Sequence, residues 1–131
     1  MAPLFTFKSE ERLKSRKDIA RLFDEGQSNF AFPLKILYTV DTVQEPLCFP
    51  VQMAVAIPKR KIKSAVKRNL LKRRCKEAYR ILKPALYSSL KDKPLKINLM
   101  FVYMTPELKN YSVIESSIKK LLNALKADLN S

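Results

Sequence analysis

An α+β sandwich, a small sheet with helices packed on it, is the fold class this sequence predicts, and three observations carry it. Apolar residues recur at helical spacing near both ends, three runs alternate or stay apolar as strands do, and a long basic segment between them keeps helical periodicity. The order is helix, strands, basic helix, strand, helix, which gives a sheet of three or four strands. At 131 residues, with 47% hydrophobic and 9% aromatic content, the chain reads as one domain over 1–131 and argues against wholesale disorder.

The first helix is bounded by its own sequence. "SRKDIARLFDEG" offers Ser15 as N-cap with Asp18 three residues on, then Ile19, Leu22 and Phe23 as an apolar stripe, and Gly26, the single glycine, as the stop. "LKILYTV" (34–40) alternates Leu34, Ile36, Tyr38 and Val40 with Lys35, Leu37 and Thr39. "VQMAVAI" (51–57) sets large apolar side chains against small or polar ones, so both read as strands, joined by a loop containing Glu45 and Pro46. "KINLMFVYM" (96–104) is apolar on both faces, as a central, doubly covered strand is. Ser112 and Glu115 make a capping-box pattern ahead of Val113, Ile114, Ile118, Leu121, Leu122 and Leu125, which predicts a last helix. A short apolar stretch at residues 4–7 offers a further edge strand.

Charge is the outlying property: 26 Lys+Arg against 12 Asp+Glu, a net +14. Residues 59–83 alone hold 12 bases and one acid, so one segment makes the protein basic. Solubility needs no such clustering, whereas a polyanion is attracted by it. At about 100° per residue, Leu71, Cys75, Ala78 and Leu82 form a narrow stripe, while Arg68, Lys72, Lys76, Asn69, Arg80 and Arg73 share one sector of about 140°. Glu77 stands within reach of Arg73 and Arg80 and reads as orienting them. Pro58 disfavours helix at Ile57, so Lys59, Arg60, Lys61 and Lys63 fall in a connection beside the helix N-terminus, where backbone N–H groups favour phosphate. Guanidinium forks, ammonium charges and the Asn69 amide together fit nucleic acid.

Several classes are excluded. With no histidine there is no His general base, no Ser-His-Asp triad and no His-containing zinc site, and no close acidic cluster suits a two-metal nuclease. Cys48 and Cys75 lie far apart without CxxC spacing, as reduced thiols of a cytosolic protein do. The start lacks an apolar signal region, and no run approaches the roughly 20 apolar residues of a membrane span, so the expectation is a soluble cytoplasmic protein.

"PKRKIKSAVKRNLLKRRCKEAYR" resembles the signature of the bacterial ribonuclease P protein family, an Arg-Asn-Arg start, a Lys-Arg pair and an Arg-Glu end, preceded by a strand and a basic pair. Arg68, Asn69, Lys72, Arg73 and Glu77 fall on matching positions, Lys59 and Arg60 match the basic pair, Lys76 replaces the usual Arg, and Leu70 stands where a second arginine is usual. "RLKSRKDIARLFDEGQS" is similar to the family's opening helix, with Phe23 and Gly26 matching and Ile19 in place of an aromatic.

The resemblance implies a fold like ribosomal S5 domain 2, in the order α-β-β-β-α-β-α with a left-handed βαβ crossover, where chain physics alone favours the right hand in about 98% of cases. It implies an RNA-binding subunit that assists a catalytic RNA in removing the 5′ leader of precursor tRNA, with Mg²⁺ held mainly by the RNA and no catalytic or metal-binding residue in the protein. Ribonuclease P RNA and precursor tRNA are the implied partners, with no membrane and no obligate protein partner. Arg68, Asn69, Lys72, Arg73, Lys76, Lys59 and Arg60 would meet the catalytic RNA. Arg12, Ile19, Phe23 and Tyr38 would line a cleft for the single-stranded leader, although periodicity alone makes Phe23 a core residue.

The electrostatic footprint by itself does not name the RNA, so a basic ribosomal or other RNA-binding protein without a role in cleavage is the alternative. A helix-turn-helix DNA binder is disfavoured because a strand precedes the basic helix. A membrane-surface helix is disfavoured by the narrow apolar stripe, which lacks aromatic anchors apart from Tyr79.

Overall fold

The computed structural model describes residues 9–130, so the edge strand expected at residues 4–7 lies outside the described residues. A 3₁₀ turn (Ser9–Glu11) leads into α1 (Arg16–Glu25), β1 (Gln27–Ala31), β2 (Leu34–Thr42), β3 (Val51–Ala56), α2 (Ala65–Leu90), β4 (Leu95–Tyr103) and α3 (Tyr111–Leu129). This is the order α-β-β-β-α-β-α.

The strands form one sheet in the order β1-β2-β4-β3. β1 and β4 each pair antiparallel with β2, while β3 pairs parallel with β4, so α2 is the crossover between parallel neighbours. The apolar "KINLMFVYM" run is central as its composition requires, with Ile97–Phe101 buried. Side-chain alternation then sorts the core into two clusters. Leu34, Ile36 and Tyr38 face α2 and α3, packing with Leu71, Cys75, Ala78, Ile114 and Ile118. Leu37 and Met100 face the other way, against Leu13, Leu22 and the half-buried Ile19.

The first helix follows its signals. Ser15 Oγ accepts from the Asp18 N–H at 3.2 Å, and the Gly26 N–H closes the helix on the Leu22 carbonyl at 3.0 Å. Gly26 has φ −64°, so it is needed for space: a Cβ there would sit 2.3 Å from the Leu22 carbonyl oxygen.

The structure extends or corrects the sequence reading at three places. β1 went unrecognised because it is a polar edge strand, mostly exposed, with no apolar period to find. α2 runs on past the basic segment, through Pro84 to Leu90. The missing Pro N–H costs about 3 kcal/mol in a helix interior, which burial of Leu86 and Leu90, at about 1.5–3 kcal/mol each, offsets. α3 is capped by Asn110, whose Oδ1 accepts from the Val113 N–H at 3.1 Å, rather than by Ser112. Ser112 instead donates to that same Oδ1 at 3.0 Å, and Glu115 accepts from the Tyr111 hydroxyl at 3.0 Å.

Candidate nucleic-acid interface

The basic connection is a shaped turn. Pro58 offers its carbonyl to the N–H groups of Lys61 (3.0 Å) and Ile62 (3.1 Å), Ile57 and Ile62 are buried, and Lys59 and Arg60 are left exposed on the arch between those anchors. Ser64 caps α2 by accepting from the Lys67 N–H at 3.3 Å. Arg68 folds back from the first turn and donates from Nη1 to the carbonyls of Ile62 (3.0 Å) and Lys63 (2.8 Å).

Along α2, Leu71, Cys75 and Ala78 are fully buried and Leu82 is half-buried, as the narrow stripe predicts. Burial raises the Cys75 thiol pKa to about 12. Asn69, Arg73 and Lys76 are exposed, while Arg68 and Lys72 are half-buried. Glu77 pairs with Arg80 at 2.6 and 3.1 Å, not with Arg73, and that hydrogen bond holds its carboxyl below the usual carboxylate range. Arg74 donates to the Lys109 carbonyl at 2.6 Å, tying α2 to the start of α3. Of the two residues on neither face of the wheel, Leu70 is half-buried and Ile81 is exposed.

A groove of about 310 Å³ runs between α2 and the segment before α1. Met53, Ala54 and Val55 form its floor, Lys72 and Lys76 one lip, and Arg12 and Lys14 the other. It joins Arg12, expected in the leader cleft, to two residues expected on the catalytic RNA. Lys14 was not singled out from sequence; its signal is the two-residue spacing from Arg12 in an extended segment, which puts both on one side.

Of the residues expected to line a cleft between α1 and the sheet, Ile19 and Phe23 lie on α1, with Ile19 half-buried against Leu37 and Met100, while Tyr38 lies apart from both. Phe23 is 61% exposed on α1, so it is not the core residue that periodicity suggests. Tyr38 is 2% exposed and lies on the opposite face of the sheet, in phase with Leu34 and Ile36. Its hydroxyl donates to the Asp128 carboxylate and lies 3.0 Å from Gln27 Oε1, and burial raises its pKa to about 12. The strand aromatic that shares the α1 face is Phe30, paired with Lys35 and 61% exposed. It escaped sequence reading along with β1. α1 itself is held to the sheet by Arg21, which donates to both carboxylate oxygens of Asp41 at 2.7 and 2.9 Å.

This arrangement offers spaced cations for phosphates and exposed rings for unpaired bases. Among the described residues, no group of three or more His, Cys, Asp or Glu side chains is arranged to hold a metal ion, and no helix is long and apolar enough to cross a membrane.

A family model described as Ribonuclease P matches residues 7–126. The chain is 31% identical over 120 residues to the ribonuclease P protein component of Porphyromonas gingivalis strain W83, covering 92% of this chain and 86% of that one. It is 30% identical over 127 residues to the ribonuclease P protein component of Petrotoga mobilis, covering 93% and 97%. In three dimensions it is similar to the RNase P protein from Thermotoga maritima, with TM-score 0.65, 18% identity and coverage of 87% and 96%. It is similar also to the RNase P protein from Staphylococcus aureus, with TM-score 0.62, 18% identity and coverage of 92% and 93%.

Proposed function

The chain belongs to the bacterial ribonuclease P protein family and is the protein component of a ribonucleoprotein endoribonuclease of tRNA processing, and from that premise we propose how its surfaces divide the RNA. The arch and outer face of α2, with Lys59, Arg60, Arg68, Asn69, Lys72, Arg73 and Lys76, bind phosphates of the catalytic RNA. Each phosphate neutralised releases condensed counterions, so affinity falls with salt at about 0.7–0.9 of a log unit per contact. The groove and cleft, with Arg12, Ile19 and Phe23, take the single-stranded 5′ leader of precursor tRNA, whose bases stack on exposed rings regardless of sequence.

Hydrolysis belongs to the RNA subunit, and the Mg²⁺ it uses is held mainly by RNA. The described residues supply no converging donor set for such an ion, and a chain of net +14 repels a divalent cation, so no step is assigned to this chain through the metal. The free thiols Cys48 and Cys75 support a reducing, cytoplasmic setting.

The observation that carries this reading is the exposure of Lys59, Arg60, Asn69, Arg73 and Lys76 around a helix whose opposite stripe is fully buried at Leu71, Cys75 and Ala78. Reconstitution with a bacterial ribonuclease P RNA tests it: adding the protein at low Mg²⁺ stimulates removal of a 5′ leader from precursor tRNA. Absence of stimulation at saturating protein overturns it.

A further inference from the structure

Lys83 is the last base of the charged run, and it contributes nothing to the cationic surface. Its ammonium donates to both carboxylate oxygens of Glu11, at 2.8 and 2.6 Å, with both residues 1% exposed. The Tyr87 hydroxyl adds a third hydrogen bond to Glu11 at 2.5 Å. Glu11 immediately precedes Arg12, one lip of the groove, while Lys83 and Tyr87 continue the flank of α2 that carries Lys72 and Lys76, the other lip.

We propose that Glu11, gripped by Lys83 and Tyr87, is a positioning residue that sets Arg12 across the groove from Lys72 and Lys76, preforming a track for one RNA strand. The proposal rests on the leader reading above. The two lips carry like charge and repel, so the segment before α1 needs a hold of opposite sign. The segment is also tied by uncharged contacts, among them one bridge between Arg12 and Met53, a Leu13 N–H donated to the Met53 carbonyl at 3.0 Å, a Gln52 amide on the Glu10 carbonyl at 3.3 Å, and the burial of Leu13 against Leu22, Leu37 and Met100. A buried ion pair adds little net stability over apolar packing of the same volume, so its value lies in the single geometry that three charge-assisted bonds select. That geometry removes an ordering cost when the strand binds.

A double-mutant cycle in the reconstituted holoenzyme tests the clamp, reading affinity for precursor tRNA in variants whose folding is checked by circular dichroism. Arg12→Ala weakens binding by about tenfold in the parent, the scale of one charge-assisted contact. In Glu11→Gln, where Arg12 is no longer set, the same change costs at most about twofold. Equal losses in both backgrounds overturn the clamp while leaving the groove as a binding surface, because a purely structural role for Glu11 is additive. No loss from Arg12→Ala in either background overturns the groove and the clamp together. Should Glu11→Gln fail to fold, Tyr87→Phe, which keeps the ring and removes one bond, serves in its place; an Arg12→Ala loss undiminished in that background overturns the proposal.

Discussion

Arg68 holds Lys63 by its backbone: Nη1 lies 2.8 Å from the Lys63 carbonyl oxygen, and 3.0 Å from that of Ile62. The arginine therefore shapes the arch that presents Lys59 and Arg60 as well as adding its own charge. Arg73, exposed on the same helix, adds charge alone. Arg73→Ala should flatten the slope of log affinity for ribonuclease P RNA against log salt by up to about 1. Arg68→Ala should cost more affinity, because it removes the tie to the Ile62 and Lys63 carbonyls as well as a charge. Equal losses for the two alanine variants across a salt series would remove the arch from the account.

Phe23 and Tyr38 separate binding from folding because they lie on opposite sides of the sheet. Phe23→Ala should weaken holoenzyme affinity for precursor tRNA by about 1–3 kcal/mol while leaving mature tRNA nearly unchanged, the cost of a lost stacking surface. Tyr38→Phe should lower unfolding free energy by about 1 kcal/mol, through its lost hydrogen bonds, with no change in that discrimination. Parallel losses for precursor and mature tRNA in Phe23→Ala would assign the ring a packing role instead.

The Arg21–Asp41 pair makes a prediction with a definite sign. The Arg21 hydrogen bond, opposed by burial, lowers the Asp41 pKa in the folded state. A depressed folded value contributes stability that is fully present above the unfolded pKa of about 3.9 and is lost as pH falls through the folded value. Asp41→Asn should therefore be less stable than the parent at neutral pH, with the gap closing below about pH 4. Denaturant melts at stepped pH read it; a gap constant down to pH 2 would show that the pair is not its source.

Thr39 and Asn98 face each other in register beneath α1, and Thr39 Oγ1 and Asn98 Oδ1 are buried without a hydrogen-bond partner among the described residues. Thr39→Val removes an unsatisfied hydroxyl while keeping the branched shape. It should leave stability unchanged or raise it by up to about 1 kcal/mol. A loss above about 1 kcal/mol in chemical denaturation would mean that the hydroxyl is satisfied in solution.

What was legible in the sequence was what periodicity and spacing encode. Leu71, Cys75 and Ala78 sit at helical intervals and are buried together, and Ser15 and Gly26 mark the ends of α1 as their chemistry requires. Phase relative to the whole sheet was not legible. Tyr38 belongs to an alternation whose sign depends on which face α1 covers, a property of sheet order rather than of "LKILYTV". The Glu11–Lys83 pair was equally hidden: its members are 72 positions apart, and an acid and a base at that distance carry no local signal.

The unequal burial of the two cysteines gives the molecule a built-in clock. A maleimide meets Cys48 at the surface within its ordinary reaction time, whereas Cys75, on the buried face of α2 and disinclined to ionise, waits until that helix lifts from the sheet. The slower labelling rate thus times detachment of the cationic helix from its foundation, and a bound RNA that grips only the outer surface should lengthen it.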